Sequence, residues 1–303
     1  MNLVGPGELF ALASALCWAV AVMLYTRSGE QMSPFTLNLT KNSISAVLLW
    51  PTAMLFAGSG MPALSTQEWL VCVLSGVIGI AVADTLYFAC LNRIGAGRTG
   101  IVAALFSPSV VALSALFLGE RLAPLQGVGF CTVLAGVIVV AFSRVARRDV
   151  DADQLRSGIA LGATAVFLMA VGIVMVKRIV EQHSLLWIVE IRILAGVAGM
   201  LAVVLAQRRS GALIRELRQP HRWGQVLLGS FLGTYLAMIF WLAGYKYTLA
   251  SIASVLNETS SVFILILAWL FLKEPLDRYK IAGVLLTFGG VVMMLVAQPE
   301  SSL

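Results

Sequence analysis

Charge is scarce in this chain. Lys, Arg, Asp and Glu make up 12% of its 303 residues, 59% are hydrophobic, and the mean hydropathy is +0.92. Soluble domains carry roughly 25% charged residues, so a soluble globular protein is excluded. Histidine is nearly missing: His183 and His221 fall in predicted loops, offer no metal pair, and no HExxH occurs. The four cysteines, Cys17, Cys72, Cys90 and Cys131, are scattered through apolar runs without a CxxC and read as small packing residues. There is no GxSxG, and no GxxxxGK followed by Ser or Thr. The expectation is therefore a non-enzyme without cofactor or metal, and without its own nucleotide-driven machinery. Strict apolar–polar alternation is also missing, which excludes a β-barrel.

What is present is a series of apolar runs near the ~20 residues that cross ~30 Å of hydrocarbon. They predict an all-α membrane protein with ten transmembrane helices, near 8–26, 35–57, 68–92, 97–118, 123–143, 158–177, 185–206, 224–246, 249–272 and 278–297. The first has no basic segment before it and is too long for a secretory h-region, so it reads as a span and not a cleaved signal.

The chain also repeats itself. SPSVVALSALFLGERL at 107–122 is echoed by SSVFILILAWLFLKEPL at 260–276. Glu120 and Glu274 stand 154 residues apart, as do Phe117 and Phe271, Gly79 and Gly233, Gly129 and Gly283, and Gly136 and Gly290. Nearer the start the offset is 151, pairing Gly7 with Gly158, Arg27 with Arg178, Glu30 with Glu181, Gln31 with Gln182 and Ser33 with Ser184. Each repeat holds five helices, an odd number, so the second must insert upside down: two inverted five-helix repeats about an axis in the membrane plane. The expected division is 1–143, a charged linker at 144–157, and 158–303. Within 206–223, Leu213, Ile214 and Leu217 interleave with Arg215 and Arg218, which fits either a short amphipathic helix on the membrane surface or a solvated basic loop.

The net charge of +6 is a topology signal, with no nucleic-acid partner implied. One set of loops holds most of the Lys and Arg, and the other only Arg121, Lys177, Arg178 and Lys246. The positive-inside rule places the first set in the cytoplasm and both termini outside. A multi-pass protein of a bacterial inner membrane is expected. Gly76, Gly79 and Ala83, then Gly229, Gly233 and Ala237, and the pairs Gly129/Gly136 and Gly283/Gly290 read as packing seams, where backbones approach closely.

Ionisable residues at membrane depth cost about 2.5–3.5 kcal/mol on insertion scales, and default to function or pairing. Lys41, Asp84, Arg192 and Glu258 stand out, with Glu190 closer to its helix end. Lys41 and Arg192 are repeat mates, 151 apart. Asn38, Lys41, Asn42 and Ser45 form a polar stripe that faces a wet cavity or an interhelical hydrogen-bond cluster. Glu258, beside Asn257, Ser254 and Ser261, could carry a proton, bind an ammonium group, or neutralise Lys41 or Arg192. Asp84, near Tyr87, is as well explained by a salt bridge to Lys41 as by a ligand role. Trp18, Trp241 and Tyr245 could line a cavity suited to an amphipathic organic solute, or serve as core. Glu120 and Glu274 read as caps or charge pairs at helix ends.

The corners ALFSPSVVALSALFLGERLAPLQGVG at 104–129 and VLNETSSVFILILAWLFLKEPLDRYKIAG at 255–283 resemble the EamA-like branch of the drug/metabolite transporter superfamily. Pro108 and Phe117–Glu120 fit its first-copy motif, while Val262 and Lys273 depart from it in the second. Glu258 matches a membrane Glu that many members carry before that run. The resemblance implies a basket-like bundle with alternating access that exports amino acids or other small metabolites; some relatives carry nucleotide-sugars or triose-phosphates. An amphoteric solute needs one cationic and one anionic partner, which Lys41 or Arg192 with Glu258 would supply, with protons as a coupling ion. Exchange of anionic or phosphorylated metabolites is the alternative within transport; a channel or membrane scaffold is the alternative outside it.

Overall fold

The computed structural model describes residues 5–28, 32–58, 60–144, 151–219, 222–272 and 278–296. Among these the structure is helical, with no strand. The helices are α1 (Pro6–Ser28), α2 (Pro34–Phe56), α3 (Thr66–Gly76), α4 (Ala83–Ala103), α5 (Phe106–Phe117), α6 (Pro124–Arg144) and α7 (Ala152–Gln182). After them come α8 (Leu185–Ala206), α9 (Ser210–Leu217), α10 (Trp223–Ser230), α11 (Ala237–Tyr247), α12 (Ala250–Asn257), α13 (Ser260–Leu272) and α14 (Arg278–Val296).

The chain signals its own helix starts. Ser33 accepts the Thr36 amide at 3.3 Å with Pro34 at the first helical position of α2, and Ser65 with Glu68 closes a capping box on α3. Five helical stretches are long and apolar enough to cross a membrane: Pro6–Tyr25, Thr66–Gly95, Ala152–Gln182, Leu185–Ala206 and Trp223–Tyr247. Phe106–Phe117, Pro124–Val139 and Ile281–Val296 are apolar but shorter. Val47, Leu55, Phe56 and Leu116 are 74–76% exposed, a surface that water would penalise and lipid would not.

Three features depart from a plain reading of the runs. The predicted helix 97–118 is broken between Ala103 and Phe106, and the predicted 249–272 between Asn257 and Ser260. Both breaks stand 154 residues apart, like the repeats. So do two π-helical turns, Val77–Val82 between α3 and α4 and Phe231–Leu236 between α10 and α11. Such turns insert one extra residue into an α-helical ladder and redirect its carbonyls. Finally, residues 152–157 of the expected linker are the first turns of α7; residues 145–150, His221 and Glu274 lie outside the described residues. The stretch 210–217 is helical, with no buried residue.

Two of the predicted glycine seams meet each other, while Gly229 and Gly233 face Tyr25 and Ala21 of α1. A Cβ on Gly129 would stand 2.7 Å from the Gly290 carbonyl, and one on Gly136 2.7 Å from that of Gly283, so α6 and α14 are in backbone contact. Gly172 of α7 approaches Gly79 in the same way, at 3.2 Å. At one end of the bundle, Glu68 meets His183 at 2.9 Å, Lys246 donates to the His183 carbonyl, and Thr248 donates to Glu8 at 2.6 Å. The other end includes Glu216 of α9, which accepts from the Ser33 amide and from the Thr36 hydroxyl (2.7 Å) at the start of α2.

Glu120 is a cap. Gly119, at φ 74°, ends α5 in the left-handed region that favours glycine. The chain turns so that Glu120 accepts the backbone amides of Ala250 (2.8 Å) and Ser251 (2.9 Å), the start of α12, which lacks a side-chain cap of its own. The Phe-Leu-Gly-Glu corner thus ties the first repeat to the broken helix of the second.

Candidate functional site

The π turns and helix breaks surround a cavity of about 230 Å³. Its walls are repeat mates: Lys41 of α2 and Arg192 of α8, Gly79 and Gly233 of the two π turns, Tyr87 of α4 and Trp241 of α11, and Trp18 of α1 and Met169 of α7. Asp84, Asn257, Glu258 and Ser261 also line it. Eight of the predicted site residues therefore converge: Trp18, Lys41, Asp84, Tyr87, Arg192, Trp241, Asn257 and Glu258.

The mates do not carry the same chemistry. Lys41 pairs with Asp84 at 2.7 Å, with both side chains largely withdrawn from solvent, so the predicted salt bridge is present. The repeat mate of Asp84 is Met238, which has no charge to offer Arg192. Arg192 accordingly has no ion pair among the described residues, and its Nε and Nη1 find no hydrogen-bond partner. Its guanidinium lies 5.6 Å from the centroid of Trp241 and beside Gly79, where an added Cβ would meet Nη2 at 3.5 Å. A planar cation stacked on indole, with donors unspent, is poised for a carboxylate or phosphate oxygen.

Glu258 occupies the break between α12 and α13 and is 7% exposed. It makes no salt bridge among the described residues, and the backbone amide of Ser107, in the first turn of α5, approaches its carboxylate. Asn257, also on the cavity wall, donates to the Ala253 carbonyl at 2.8 Å.

The structure places three predicted residues elsewhere. Asn38 donates to the Ile80 carbonyl in the first π turn (2.8 Å) and to Thr85 (3.0 Å), and Asn42 donates back to Asn38. Both are buried behind the wall, so of the polar stripe only Lys41, with its long stem, reaches the cavity. Ser45 likewise bonds the Lys41 and Ser230 carbonyls. Tyr245 is fully buried, edge-on to Trp241, with its hydroxyl unpartnered. Glu190 is buried outside the cavity, neither carboxylate oxygen having a hydrogen-bond partner. Sequence reasoning missed Phe106, Met169, Met238 and Ile264 of the wall. The offsets contained the signal: Met169 is the mate of Trp18, and Met238 that of Asp84.

Among the described residues no cluster of three His, Cys, Asp or Glu could hold a metal. Among the described residues the site offers the Lys41–Asp84 ion pair, the Arg192 cation without an ion-pair partner, the Glu258 carboxylate and aromatic walls.

The model of the EamA-like transporter family matches residues 5–142 and again 156–296. An uncharacterized transporter of Archaeoglobus fulgidus is 23% identical over 290 residues, 95% of this chain and 97% of the relative. The uncharacterized transporter YxxF of Bacillus subtilis is 24% identical over 152 residues, 50% of this chain and 48% of its own. A solved crystal structure superposes at a TM-score of 0.76 with 19% identity over 95% of both chains, a likeness of fold.

Proposed function

This chain belongs to the EamA-like transporter family, and we propose that it is a secondary active exporter of amino acids or related amphoteric metabolites. In this reading it crosses the membrane ten times as two inverted five-helix repeats; α4 is kinked at Gly95, so that its first part completes the span begun by α3, while its remainder with α5, and α12 with α13, each form one broken span. The cavity opens alternately to either side as the halves exchange roles. The observation that carries the reading is the unpaired Arg192 facing the same cavity as Glu258. Arg192 would hold the solute carboxylate; Glu258 would meet its ammonium group or give up a proton in exchange. Trp18, Tyr87 and Trp241 would cover an apolar side chain, and the Lys41–Asp84 pair would set the shape of the floor. An exchanger of phosphorylated anions would want both basic residues free, and Lys41 is already neutralised.

The test is uptake and counterflow of labelled L-leucine, L-phenylalanine, L-threonine, L-glutamate and L-lysine in proteoliposomes, with and without a pH gradient. Saturable flux that follows the gradient in wild type, and no longer follows it in Glu258→Gln, is the expected result. Non-saturable flux would mean a channel. Saturable flux with the same pH response in Glu258→Gln would remove Glu258 from coupling.

A further inference from the structure

We propose that protons reach Glu258 along a buried hydroxyl path between α5 and α12 that starts at Glu120, with Tyr245 as its side gate. The proposal rests on the reading of Glu258 as the coupling carboxylate. Helix α12 has only eight residues, about 12 Å at 1.5 Å per residue, and a carboxylate stands at each end: Glu120 over its first amides, Glu258 just past its last turn. Between them runs a row of buried serines. Ser251 donates to Glu120 at 2.6 Å and meets the Ser114 hydroxyl at 2.9 Å. Ser254 lies one turn on, 3.4 Å from the Ser107 hydroxyl, and the Ser107 amide approaches Glu258.

Two further observations point to proton traffic and away from packing alone. Tyr245 is fully buried, its hydroxyl has no hydrogen-bond partner among the described residues, and its ring stands edge-on to Trp241 of the cavity wall, 5.0 Å between centroids. An orphaned hydroxyl costs about 1–3 kcal/mol unless water satisfies it; the row likewise needs water between Ser251 and Ser254, whose hydroxyl donates to the Ser251 carbonyl at 2.8 Å, and between Ser107 and Glu258. Then there is the repeat. At the 154-residue offset, Tyr245, Ser251, Ser254 and Glu258 have the mates Leu91, Gly97, Gly100 and Ala104. None of these four mates carries a hydroxyl or a carboxyl; the one hydroxyl of residues 91–104, that of Thr99, donates to the Gly95 carbonyl at 2.8 Å. Close helix approach needs only small residues, so the hydroxyls of the second half answer to something besides packing.

In the transfer, water at its end of the bundle gives Glu120 a proton, and Glu120 passes it to the Ser251 hydroxyl while that group releases its own proton onward. A water at the far end of the row delivers the last proton to the Glu258 carboxylate. Each hydroxyl ends as it began after reorienting. The charged groups around the path are Arg192 and the Lys41–Asp84 pair at the cavity end, and Arg121 and Arg178 near Glu120.

The experiment compares wild type, Tyr245→Phe, Ser251→Ala/Ser254→Ala and Glu258→Gln in proteoliposomes, using whichever amino acid of the panel wild type carries. Each is measured for flux driven by a pH gradient and for counterflow at equal pH, which needs no proton to leave Glu258. Because positioned proton transfers are worth about 10²–10⁴ in rate, Tyr245→Phe and the double serine variant should lose roughly tenfold or more of gradient-driven flux. Their counterflow should persist, which also shows that they fold. If Glu258→Gln abolishes the pH response while both path variants keep wild-type gradient-driven flux, the path is wrong and the coupling reading stands. If Glu258→Gln keeps the pH response, the coupling reading itself fails.

Discussion

Replacing Arg192 by Gln isolates the part of the site most directly tied to the solute. The side chain is 2% exposed and lacks an ion-pair partner among the described residues, so its removal strands no carboxylate. The protein loses the stacking on Trp241, at 5.6 Å, worth about 0.5–2 kcal/mol, and is relieved of a desolvated charge. Melting in detergent should therefore stay close to wild type. Binding should not. A charge-assisted hydrogen bond contributes about 1.5–3 kcal/mol, and 1.36 kcal/mol is a factor of ten, so the half-saturation concentration should rise roughly 10- to 150-fold. Arg192→Lys keeps the charge but loses the planar fork and should fall between. The assay is saturation of counterflow with the preferred amino acid, repeated with its decarboxylated amine as competitor. Wild type should discriminate strongly against the amine, and Arg192→Gln should not. Unchanged half-saturation together with unchanged discrimination would refute the assignment of Arg192 to the carboxylate.

The other two predictions concern what holds the cavity. Lys41→Met strands the partly exposed Asp84 carboxylate of the 2.7 Å pair and should destabilise the protein by less than the about 3–5 kcal/mol of a fully buried pair; Lys41→Met/Asp84→Asn should recover most of the lost melting temperature, and equal melting of single and double variants would show the pair is not coupled. Gly136→Val drives a side chain into the Gly283 carbonyl and the Thr287 amide, each 2.7 Å from the first added carbon, whereas Gly289 has open space around it. At overpacking costs of about 1–3 kcal/mol, Gly136→Val should melt several degrees below Gly289→Val in detergent, and similar melting of the two would contradict an α6–α14 seam.

Much of the fold was legible because lipid is an unforgiving solvent. It demands long uncharged helices and small residues where backbones meet, and both leave marks in composition and spacing. Gly129, Gly136, Gly283 and Gly290 could be named as seams before their partners were known. The helix breaks left no such mark. Ala104 and Leu105, or Glu258 and Thr259, suit a helix as well as a turn, and a missing i→i+4 bond changes no residue type. Nor do the π turns show in sequence, where Val77–Val82 reads as any apolar run.

The site was legible in its members and less so in their directions. Asn38, Lys41, Asn42 and Ser45 do share a face, but side-chain length decides what each reaches from it. Lysine extends to the cavity, while the short amides stop at the neighbouring backbone and hold the Ile80 carbonyl of the π turn. The repeat resolves more than either half alone. Lys41 and Arg192 are alike in sequence, yet only Lys41 has an acid within ion-pair distance, Asp84, whose repeat mate is Met238, so one cation is neutralised and the other has no ion pair among the described residues. The duplication preserves the scaffold, with its turns, breaks and seams at constant offset, and concentrates chemistry where the mates differ. Arg192 opposite a methionine, Glu258 opposite Ala104 and Tyr245 opposite Leu91 are such places, and all three gather around the second broken helix. An inverted repeat gives the halves equal mechanical parts. In the proposed cycle, the unequal residues would supply the site for a solute and the proton exchanged for it.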